Sequence, residues 1–297
     1  MPAAAWIFPG QGSQRVGMGR ALAESEPIAR EVYDRVDDAL GFALSDIIFS
    51  GPDEELVATR NQQPALLATS IAYLEVLKLR GQVPDPQFVA GHSLGEYSAL
   101  VASGALDLAD GARLVRRRGE LMEQHGLGGM IAVLGLDDQV LSEIAALSET
   151  EIANINAPGQ ITLSGRSEAL ERATQLAREA GARRVVPLAV NVAFHCSLMQ
   201  PVVAELKPMI DATPFNQPSV PLIANVDARL LSEPDELRVE LAEQITASVR
   251  WVDVIQRAME HGVSSLFEIG PGKVLSGLAT RIGRELETAH AEAFLRD

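Results

Sequence analysis

The sequence of 297 residues contains a single cysteine, Cys196, and few aromatic residues, which make up 4% of the chain. One thiol cannot form an internal disulfide, so we expect a reducing compartment and a cytoplasmic protein. Positive charge is also scarce, because 25 Lys and Arg stand against 40 Asp and Glu, a net charge of -15. This balance argues against nucleic acid or an anionic membrane as the main partner.

The sequence also lacks long apolar runs, internal repeats and low-complexity segments. No apolar stretch approaches the roughly 20 residues needed to span a bilayer. The opening stretch MPAAAWIFPGQG has no basic leader and breaks at Pro9 and Gly10, so we expect no signal peptide. Hydrophobic residues make up 47% of the chain, enough for one substantial core and a second, smaller one. We expect a globular monomer.

Short apolar segments alternate with helical patterns along most of the chain. The pattern predicts strands at 4–8, 87–93, 220–226 and 265–270, and helices at 20–40, 65–81, 95–104, 107–124, 236–245, 251–262 and 273–286. This alternation is typical of an α/β core around a largely parallel sheet.

Residues 128–190 have a different order of elements. The pattern predicts, in turn, a strand, a helix, two strands, a helix and a strand at 129–135, 138–147, 151–156, 160–165, 167–181 and 183–190. The order β-α-β-β-α-β is the ferredoxin-like arrangement. We interpret 128–190 as a subdomain inserted into a large α/β catalytic domain formed by 1–127 and 191–297. The cleft between the two is the expected ligand site.

The stretch AGHSLGEYSA places Ser93 at the centre of a Gly-x-Ser-x-Gly pattern between a predicted strand and a predicted helix. This strand-turn-helix context exposes a serine hydroxyl and aims backbone N–H groups at an acyl oxygen. Small residues at Gly91 and Gly95 allow the helix to pack close to the strand. We therefore interpret Ser93 as a nucleophile, although the pentapeptide alone also recurs by chance.

Five histidines are candidates for the base that takes the serine proton: His92, His125, His195, His261 and His290. His92 adjoins Ser93 in a tight turn, where neighbouring side chains rarely meet, so orienting or packing is its expected role. His125 and His261 precede glycines at predicted helix ends, where imidazoles commonly cap carbonyls, and His290 lies in a polar tail. Elimination leaves His195, although a lone histidine between apolar neighbours is more often a core residue.

The acidic member of a hydrolase triad is missing. Serine-elbow hydrolases follow the chain order Ser, Asp or Glu, His. The aspartates between Ser93 and His195 that we considered are all predicted at helix starts, where acids are favoured anyway: Asp107, Asp110, Asp137 and Asp138. If His195 is the base, we expect a backbone carbonyl to hold its ring.

The helix DLADGARLVRRRGELMEQ contains three consecutive arginines. At 100° per residue, Arg118 falls near the centre of the apolar face, whereas Arg116 and Arg117 point away from it and are expected to be solvated. An inward guanidinium needs an anion, because an unpaired buried charge is costly. A substrate carboxylate held by two hydrogen bonds fits this requirement.

The loop FPGQGSQ after the first strand does not match a nucleotide-binding motif. It lacks the Gly-Lys-Ser/Thr ending of a P-loop, and Arg15 stands where the dinucleotide pattern after Gly10 and Gly12 requires glycine. A glycine loop after a strand can instead offer an N–H to an oxyanion, here that of Gln11.

The motifs together resemble a known family. FPGQGSQ, NQQPALLATS, AGHSLGEYSALVASGAL, RLVRRRGELM, NINAPGQITLSG, AFHCSLM, SVRW and EIGPGKVLSGL occur in the order and approximate spacing of the malonyl-CoA:acyl carrier protein transacylases of fatty acid synthesis. They are also similar to acyltransferase domains of polyketide synthases. The resemblance covers nearly the whole chain. It implies an α/β-hydrolase-like large domain with an inserted ferredoxin-like subdomain.

The resemblance also implies roles for individual residues. Ser93 is then the nucleophile and His195 the base, the backbone N–H groups of Gln11 and Leu94 form the oxyanion hole, and Arg118 holds the malonyl carboxylate.

Supporting roles follow from the same resemblance. Arg250, before Trp251, would offer its main-chain carbonyl to His195, although Ala247-Ser248-Val249 replaces the family's Asn-Pro-Val before it. The further residues expected to line the cleft are Gln63, Asn156 and Gln160.

The selectivity for the acyl group is also suggested by the resemblance. VAFH at 192–195 is similar to the His-Ala-Phe-His signature of malonyl-selective polyketide acyltransferases, except at Val192. Phe194 would then occupy the space of an α-methyl branch. The alternative is that Phe194 only packs in the core.

The implied reaction moves a malonyl group from malonyl-CoA to Ser93 and then to the phosphopantetheine thiol of acyl carrier protein, with no metal or redox cofactor. Two alternatives share this chemistry: a trans-acting polyketide acyltransferase and the transacylase subunit of a malonate decarboxylase. An alternative of another class is a serine carboxylesterase, which would release the acyl group to water.

Overall fold

A computed structural model of the protein describes residues 3–295. Its strands are β1 Ala3–Phe8, β2 Pro86–Gly91, β3 Gly129–Leu134, β4 Glu151–Ala157, β5 Gln160–Gly165, β6 Arg184–Pro187, β7 Leu222–Ile223, β8 Leu230–Leu231, β9 Val263–Glu268 and β10 Glu287–His290.

Helices lie between and around these strands. They are α1 Arg20–Ser25, α2 Pro27–Leu40, α3 Leu44–Ser50, α4 Asp53–Val57, α5 Thr59–Leu79, α6 Gly95–Ala102, α7 Leu108–Gln124, α8 Asp138–Ser148, α9 Ser167–Glu179, α10 Gln200–Ala212, α11 Pro234–Glu243, α12 Trp251–Glu260 and α13 Val274–Ile282, with single 3-10 turns at Ser197–Met199 and Ala291–Ala293. Within residues 3–295, none of the helices combines the length and the apolar character needed to cross a membrane.

The larger sheet has the strand order β10-β9-β1-β2-β7-β8. Its strands pair in parallel from β10 to β7, and only β8 is antiparallel. Side chains of β1 alternate between two cores, because Trp6 and Phe8 pack on one face of the sheet and Ala5 and Ile7 on the other. A strand covered on both faces must be apolar throughout, which is why β1 reads as a continuous apolar run.

The smaller sheet is antiparallel and has the order β4-β5-β3-β6. With α8 and α9 it forms a ferredoxin-like unit with a core of its own, which includes Val133, Leu141, Ile161 and Ala173. Its strands come only from residues 129–187, and this supports our proposal that 128–190 is the inserted subdomain. The fold class expected from the sequence is therefore confirmed.

The smaller sheet is also attached directly to the large domain. The backbone N–H of Ile155 in β4 donates to the Val249 carbonyl, and the Val249 N–H donates to the Ala153 carbonyl, both at 2.9 Å. The segment before α12 therefore continues the small sheet, so the two units meet through backbone hydrogen bonds.

Some details of the predicted elements are wrong. The helix expected at 20–40 is two helices, because Glu26 adopts an extended conformation before Pro27, which begins α2. The strand expected at 220–226 is only β7, Leu222–Ile223, because the Asn225 N–H donates to the carboxyl of Glu96 and not to a neighbouring strand. His290 does not lie in a polar tail but is the last residue of β10.

Candidate active site

Ser93 lies in a strained turn between β2 and α6. Its φ of 53° is in the left-handed region, as a nucleophile elbow requires. A Cβ on Gly91 would lie 1.9 Å from the Gly95 carbonyl carbon, and a Cβ on Gly95 would lie 2.1 Å from the Phe8 oxygen. Both positions therefore require glycine, because strand, elbow and β1 pack backbone against backbone.

Asn225 ties the two sides of this turn together. Its Oδ1 accepts from the Ser93 N–H at 2.8 Å, and its Nδ2 donates to the Gly91 carbonyl at 2.7 Å. These two bonds engage both the oxygen and the nitrogen of the side-chain amide. The positive φ of Ser93 is thus held by a residue 132 positions away in sequence.

The structure brings His195 to Ser93. The distance between His195 Nε2 and Ser93 Oγ is 2.7 Å, and the distance between His195 Nδ1 and the Gln244 carbonyl oxygen is 2.8 Å. A carbonyl can only accept, so Nδ1 carries the proton and Nε2 is free to accept the serine hydroxyl proton. Burial, followed by the charge of Arg118, lowers the pKa of His195 to about 3, so the ring is neutral at pH 7.

The carbonyl that holds His195 is therefore the expected kind of partner, but its assignment to Arg250 is wrong. The Arg250 carbonyl accepts from the Val254 N–H at 3.0 Å and so begins the hydrogen bonding of α12. The Gln244 carbonyl follows the last residue of α11, where carbonyls lack helical partners. A carbonyl that has no helical partner is the better acceptor for a ring N–H.

The aspartates between Ser93 and His195 do not join the site. Asp107 caps α7 by accepting from the Ala109 N–H at 2.8 Å, and Asp137 occupies the corresponding position before α8. The remaining histidines are also accounted for elsewhere. His261 Nδ1 lies 3.0 Å from the Arg257 carbonyl, and His125 Nε2 lies 2.6 Å from a Glu205 oxygen.

Arg118 is buried beside the nucleophile, with 1% of its surface exposed. Its Nη2 donates to Ser93 Oγ at 3.1 Å and to Gln244 Oε1 at 2.8 Å, and its Nη1 donates to Gln63 Oε1 at 2.9 Å. The ring of Tyr97 lies 5.8 Å from the guanidinium carbon.

No carboxylate within residues 3–295 forms an ion pair with Arg118, so its partners in the fold are neutral oxygens. Burial lowers its pKa from the usual value, but an arginine remains charged. The inward direction derived from the sequence is therefore confirmed. A buried cation with only neutral partners favours an anionic group next to Ser93.

The loop after β1 lies against the elbow. The His92 N–H donates to the Phe8 carbonyl at 3.0 Å, and a Cβ on Gly10 would come within 2.6 Å of the His92 oxygen. Among residues 3–295, no acceptor pairs with the backbone N–H of Gln11 or of Leu94. Both donors remain available to an oxyanion, as the resemblance implies.

The other predicted residues divide into two groups. Gln63 is in the network through Arg118, and His92 Nε2 lies 2.8 Å from Asn156 Oδ1, a contact that joins the elbow to the small subdomain. Gln160 does not join the Ser93 network, because its side-chain oxygen accepts from Arg281. Phe194 is 7% exposed and lies in the main core, as its packing alternative requires.

Two residues of the site, Gln244 and Asn225, were not predicted from the sequence. Gln244 is fully buried, and its Nε2 donates to the Ser93 carbonyl at 3.1 Å and to Glu96 Oε2 at 2.5 Å. The only signal in the sequence was an amide side chain near the end of a predicted apolar element, Gln244 in the helix at 236–245 and Asn225 in the strand at 220–226.

Comparison with known proteins gives a consistent result. Residues 5–293 match the family model described as the acyl transferase domain. The malonyl CoA-acyl carrier protein transacylase of Bacillus subtilis is 46% identical over 292 residues, which cover 96% of this chain and 92% of that protein.

Solved structures similar to this chain are also malonyltransferases. The acyl-carrier-protein S-malonyltransferase of Bartonella henselae superimposes with a TM-score of 0.95 at 44% identity and covers 99% of this chain and 98% of that one. A malonyl-transacylase solved in complex with a type II polyketide acyl-carrier protein superimposes with a TM-score of 0.92 at 40% identity, covering 97% and 95%.

Proposed function

The chain belongs to the acyl transferase family, and from this premise we propose that it transfers a malonyl group from malonyl-CoA to acyl carrier protein through an ester on Ser93. One observation carries the proposal: Ser93 Oγ lies within 3.1 Å of both His195 Nε2 and Arg118 Nη2. A base and a buried cation thus converge on one nucleophile. The cation selects an acyl group that ends in a carboxylate.

The first half of the reaction loads the serine. His195 Nε2 accepts the proton of Ser93 Oγ as the oxygen attacks the thioester carbonyl of malonyl-CoA, and the N–H groups of Gln11 and Leu94 stabilise the oxyanion. The proton then passes from His195 to the departing coenzyme A thiolate. The Gln244 carbonyl stabilises the imidazolium that exists between the two proton transfers.

The second half repeats these steps in reverse order with a new thiol. His195 takes the proton of the phosphopantetheine thiol, the thiolate attacks the serine ester, and Ser93 recovers its proton as it leaves. Arg118 keeps the malonyl carboxylate in place throughout. The nucleophile, base, N–H donors and cation all belong to this chain, so we propose that no metal or redox cofactor takes part.

The carrier is expected to bind at unpaired positive charge. Arg116 pairs with Glu120, and Arg117 pairs with both Glu120 and Glu205, which leaves little free charge there. Four other cations form no ion pair with a carboxylate of residues 3–295: Arg183, Arg184, Lys273 and Arg281. We propose that these four residues attract an acidic carrier.

We place the reaction in the cytoplasm, in a monomer that acts on malonyl-CoA and acyl carrier protein and not on nucleic acid or a membrane. The net charge of -15 supports the last two exclusions. A second candidate function is loading of a polyketide carrier, because one structural relative was solved with such a carrier. The chemistry at Ser93 is the same for both carriers.

The test is the mass of the intact protein after exposure to malonyl-CoA. We expect one malonyl group per chain, none in the Ser93→Ala variant, and discharge on addition of carrier bearing phosphopantetheine. Circular dichroism of the variant controls for folding. An adduct that persists in Ser93→Ala would contradict the nucleophile, and steady loss of malonyl to water without carrier would indicate a hydrolase.

A further inference from the structure

Two buried carboxyl groups lie directly behind the active site. Glu96 is on α6 and is 0% exposed, and Glu240 is on α11 and is 1% exposed. The proposed transfer reaction assigns no role to either one. Burying two acids beside each other is costly, so their contacts must compensate.

Both carboxyls converge on the same backbone nitrogen. The Asn225 N–H donates to Glu96 Oε1 at 2.7 Å and to Glu240 Oε1 at 2.9 Å. The Val226 N–H also donates to Glu240 Oε1, at 3.1 Å, and Gln244 Nε2 donates to Glu96 Oε2 at 2.5 Å. The pair therefore holds the backbone of one supporting residue, Asn225, and the side chain of the other, Gln244.

These two supporting residues contact each of the groups that carry the chemistry. Asn225 clamps the Ser93 elbow, as described above. Gln244 holds His195 through its carbonyl and Arg118 through its Oε1.

The Gln244 amide has one useful orientation. Its oxygen must face the Arg118 donors, so its nitrogen must face an acceptor, and Glu96 supplies that acceptor. Rotating the amide by half a turn would set donor against donor on the Arg118 side.

One oxygen of each glutamate accepts from the same Asn225 N–H, so two negative charges would meet at that nitrogen, and a proton on one of the two acids removes their repulsion. Burial raises the pKa of both carboxyls, that of Glu240 to about 7, which favours one proton on the pair.

The contacts indicate which carboxyl carries the proton. Both oxygens of Glu96 receive N–H donors, as those of a carboxylate do. In Glu240 only Oε1 accepts from N–H donors. Its Oε2 is buried, and within residues 3–295 no donor binds it. A neutral acid has this arrangement, with one carbonyl oxygen and one hydroxyl.

We propose that Glu96 and Glu240 are positioning residues that share one proton, carried by Glu240, and that Glu96 as the carboxylate fixes Asn225 and Gln244 and through them Ser93, His195 and Arg118. The proposal rests on the transfer reaction proposed above. It makes the two glutamates unequal, although both are buried acids in the same contact.

The inequality gives the test, which compares isosteric variants. Glu240→Gln keeps the carbonyl oxygen for Asn225 and Val226 and replaces the hydroxyl with an N–H₂ that can donate to Glu96. We expect kcat for malonyl transfer within about twofold of the wild type. Glu240→Leu removes the acceptor, and Glu96→Gln sets an amide donor against an existing donor. For each we expect kcat to fall by about 10- to 100-fold, because buried donors lose their acceptors.

The matched control for Glu96→Gln is Glu268→Gln. Glu268 is also fully buried, and its two oxygens accept from the backbone of α13, from the Leu275 N–H at 3.0 Å and the Ser276 N–H at 2.7 Å. This variant loses a comparable contact outside the Ser93 network, so its kcat should stay within about threefold of the wild type in the folded protein.

A second measurement needs no substrate. The proton on His195 Nδ1, bound to the Gln244 carbonyl, should give a slowly exchanging imidazole NMR signal. We expect faster exchange in Glu96→Gln and Glu240→Leu, and unchanged exchange in Glu240→Gln and Glu268→Gln. If Glu96→Gln does not fold, the comparison of Glu240→Gln with Glu240→Leu still tests the proposal.

Three outcomes would overturn the proposal: full kcat in Glu96→Gln, equal losses in Glu240→Gln and Glu240→Leu, or unchanged His195 exchange in Glu96→Gln. A wild type that takes no malonyl group from malonyl-CoA would instead contradict the proposed function. The NMR comparison would still test the positioning role in that case.

Discussion

Replacing Arg118 with alanine should change the substrate preference more than it changes the fold. The guanidinium donates to two buried amide oxygens, Gln63 Oε1 and Gln244 Oε1, and to Ser93 Oγ. The variant leaves those two amide oxygens without a donor, at a cost of about 1–3 kcal/mol each in the free energy of unfolding. Assays therefore need a temperature below the lowered melting point.

The effect on the reaction comes from the substrate carboxylate. A hydrogen-bonded contact with a charged group is worth about 1.5–3 kcal/mol, so kcat/KM for malonyl-CoA should fall by about 10- to 150-fold. Acetyl-CoA has no carboxylate to lose. Moreover, the charge of Arg118 is one cause of the low pKa of His195, so removing it raises that pKa and does not weaken the base.

The assay is single-turnover acylation of Ser93 followed by intact mass, with malonyl-CoA and acetyl-CoA measured in parallel. Arg113→Ala is the control, since Arg113 is on the same helix but is exposed and paired with Asp110. Its two rates should match the wild type within about twofold. Equal losses with both thioesters in Arg118→Ala would refute the reasoning and make Arg118 a structural residue.

Four further predictions follow from the site. Arg250→Ala should keep kcat within about twofold of the wild type, because alanine retains the backbone carbonyl that α12 uses. Gln244→Ala should lower kcat by about tenfold or more, because it removes the buried side-chain amide. Equal kcat values in the two variants would contradict the supporting role of Gln244. The pKa of His195 is lower in the folded protein than its ordinary value in the unfolded chain, so the unfolded state binds the extra proton and stability falls as pH falls below about 6.5. Between pH 7.5 and 5 the loss should be about 2 kcal/mol larger in the wild type than in His195→Ala, measured by urea unfolding, and parallel curves would exclude the low pKa. Salt should raise KM for the carrier more than KM for a short pantetheine thiol, because screening weakens attraction to the four unpaired cations. Identical salt responses of the two KM values would contradict the proposal that these cations attract the carrier. Competition between malonyl-CoA and methylmalonyl-CoA, scored by product mass, should favour malonyl by about 10- to 200-fold, and Phe194→Ser should narrow the ratio; an unchanged ratio would leave Phe194 as core packing.

Several features of the site were predictable from the sequence because their signals are local. The Gly-x-Ser-x-Gly pattern between a strand and a helix predicts the elbow at Ser93, whose geometry depends on neighbours within a few residues. The inward direction of Arg118 follows from the 3.6-residue period of α7, which is also local. His195, which lies 102 residues from Ser93 in sequence, was indicated by elimination among the histidines, and the family resemblance implied the same residue.

The tertiary structure alone decided what supports these groups. The partner of His195 is a backbone carbonyl, which every residue type carries, so no sequence pattern distinguishes Gln244 from Arg250. The two carbonyls differ in their place in the fold. The Gln244 carbonyl lies just after the end of α11 at Glu243, whereas the Arg250 carbonyl already accepts a hydrogen bond in the first turn of α12.

The same holds for the hydrogen bonds behind the site. Asn225 and Gln244 contact Ser93 across 132 and 151 residues, and Glu96 meets Glu240 only because α6 and α11 converge on one backbone nitrogen. A sequence indicates that a glutamate can be buried if it is paired. It does not indicate the pair, because the partner is set by how distant elements pack.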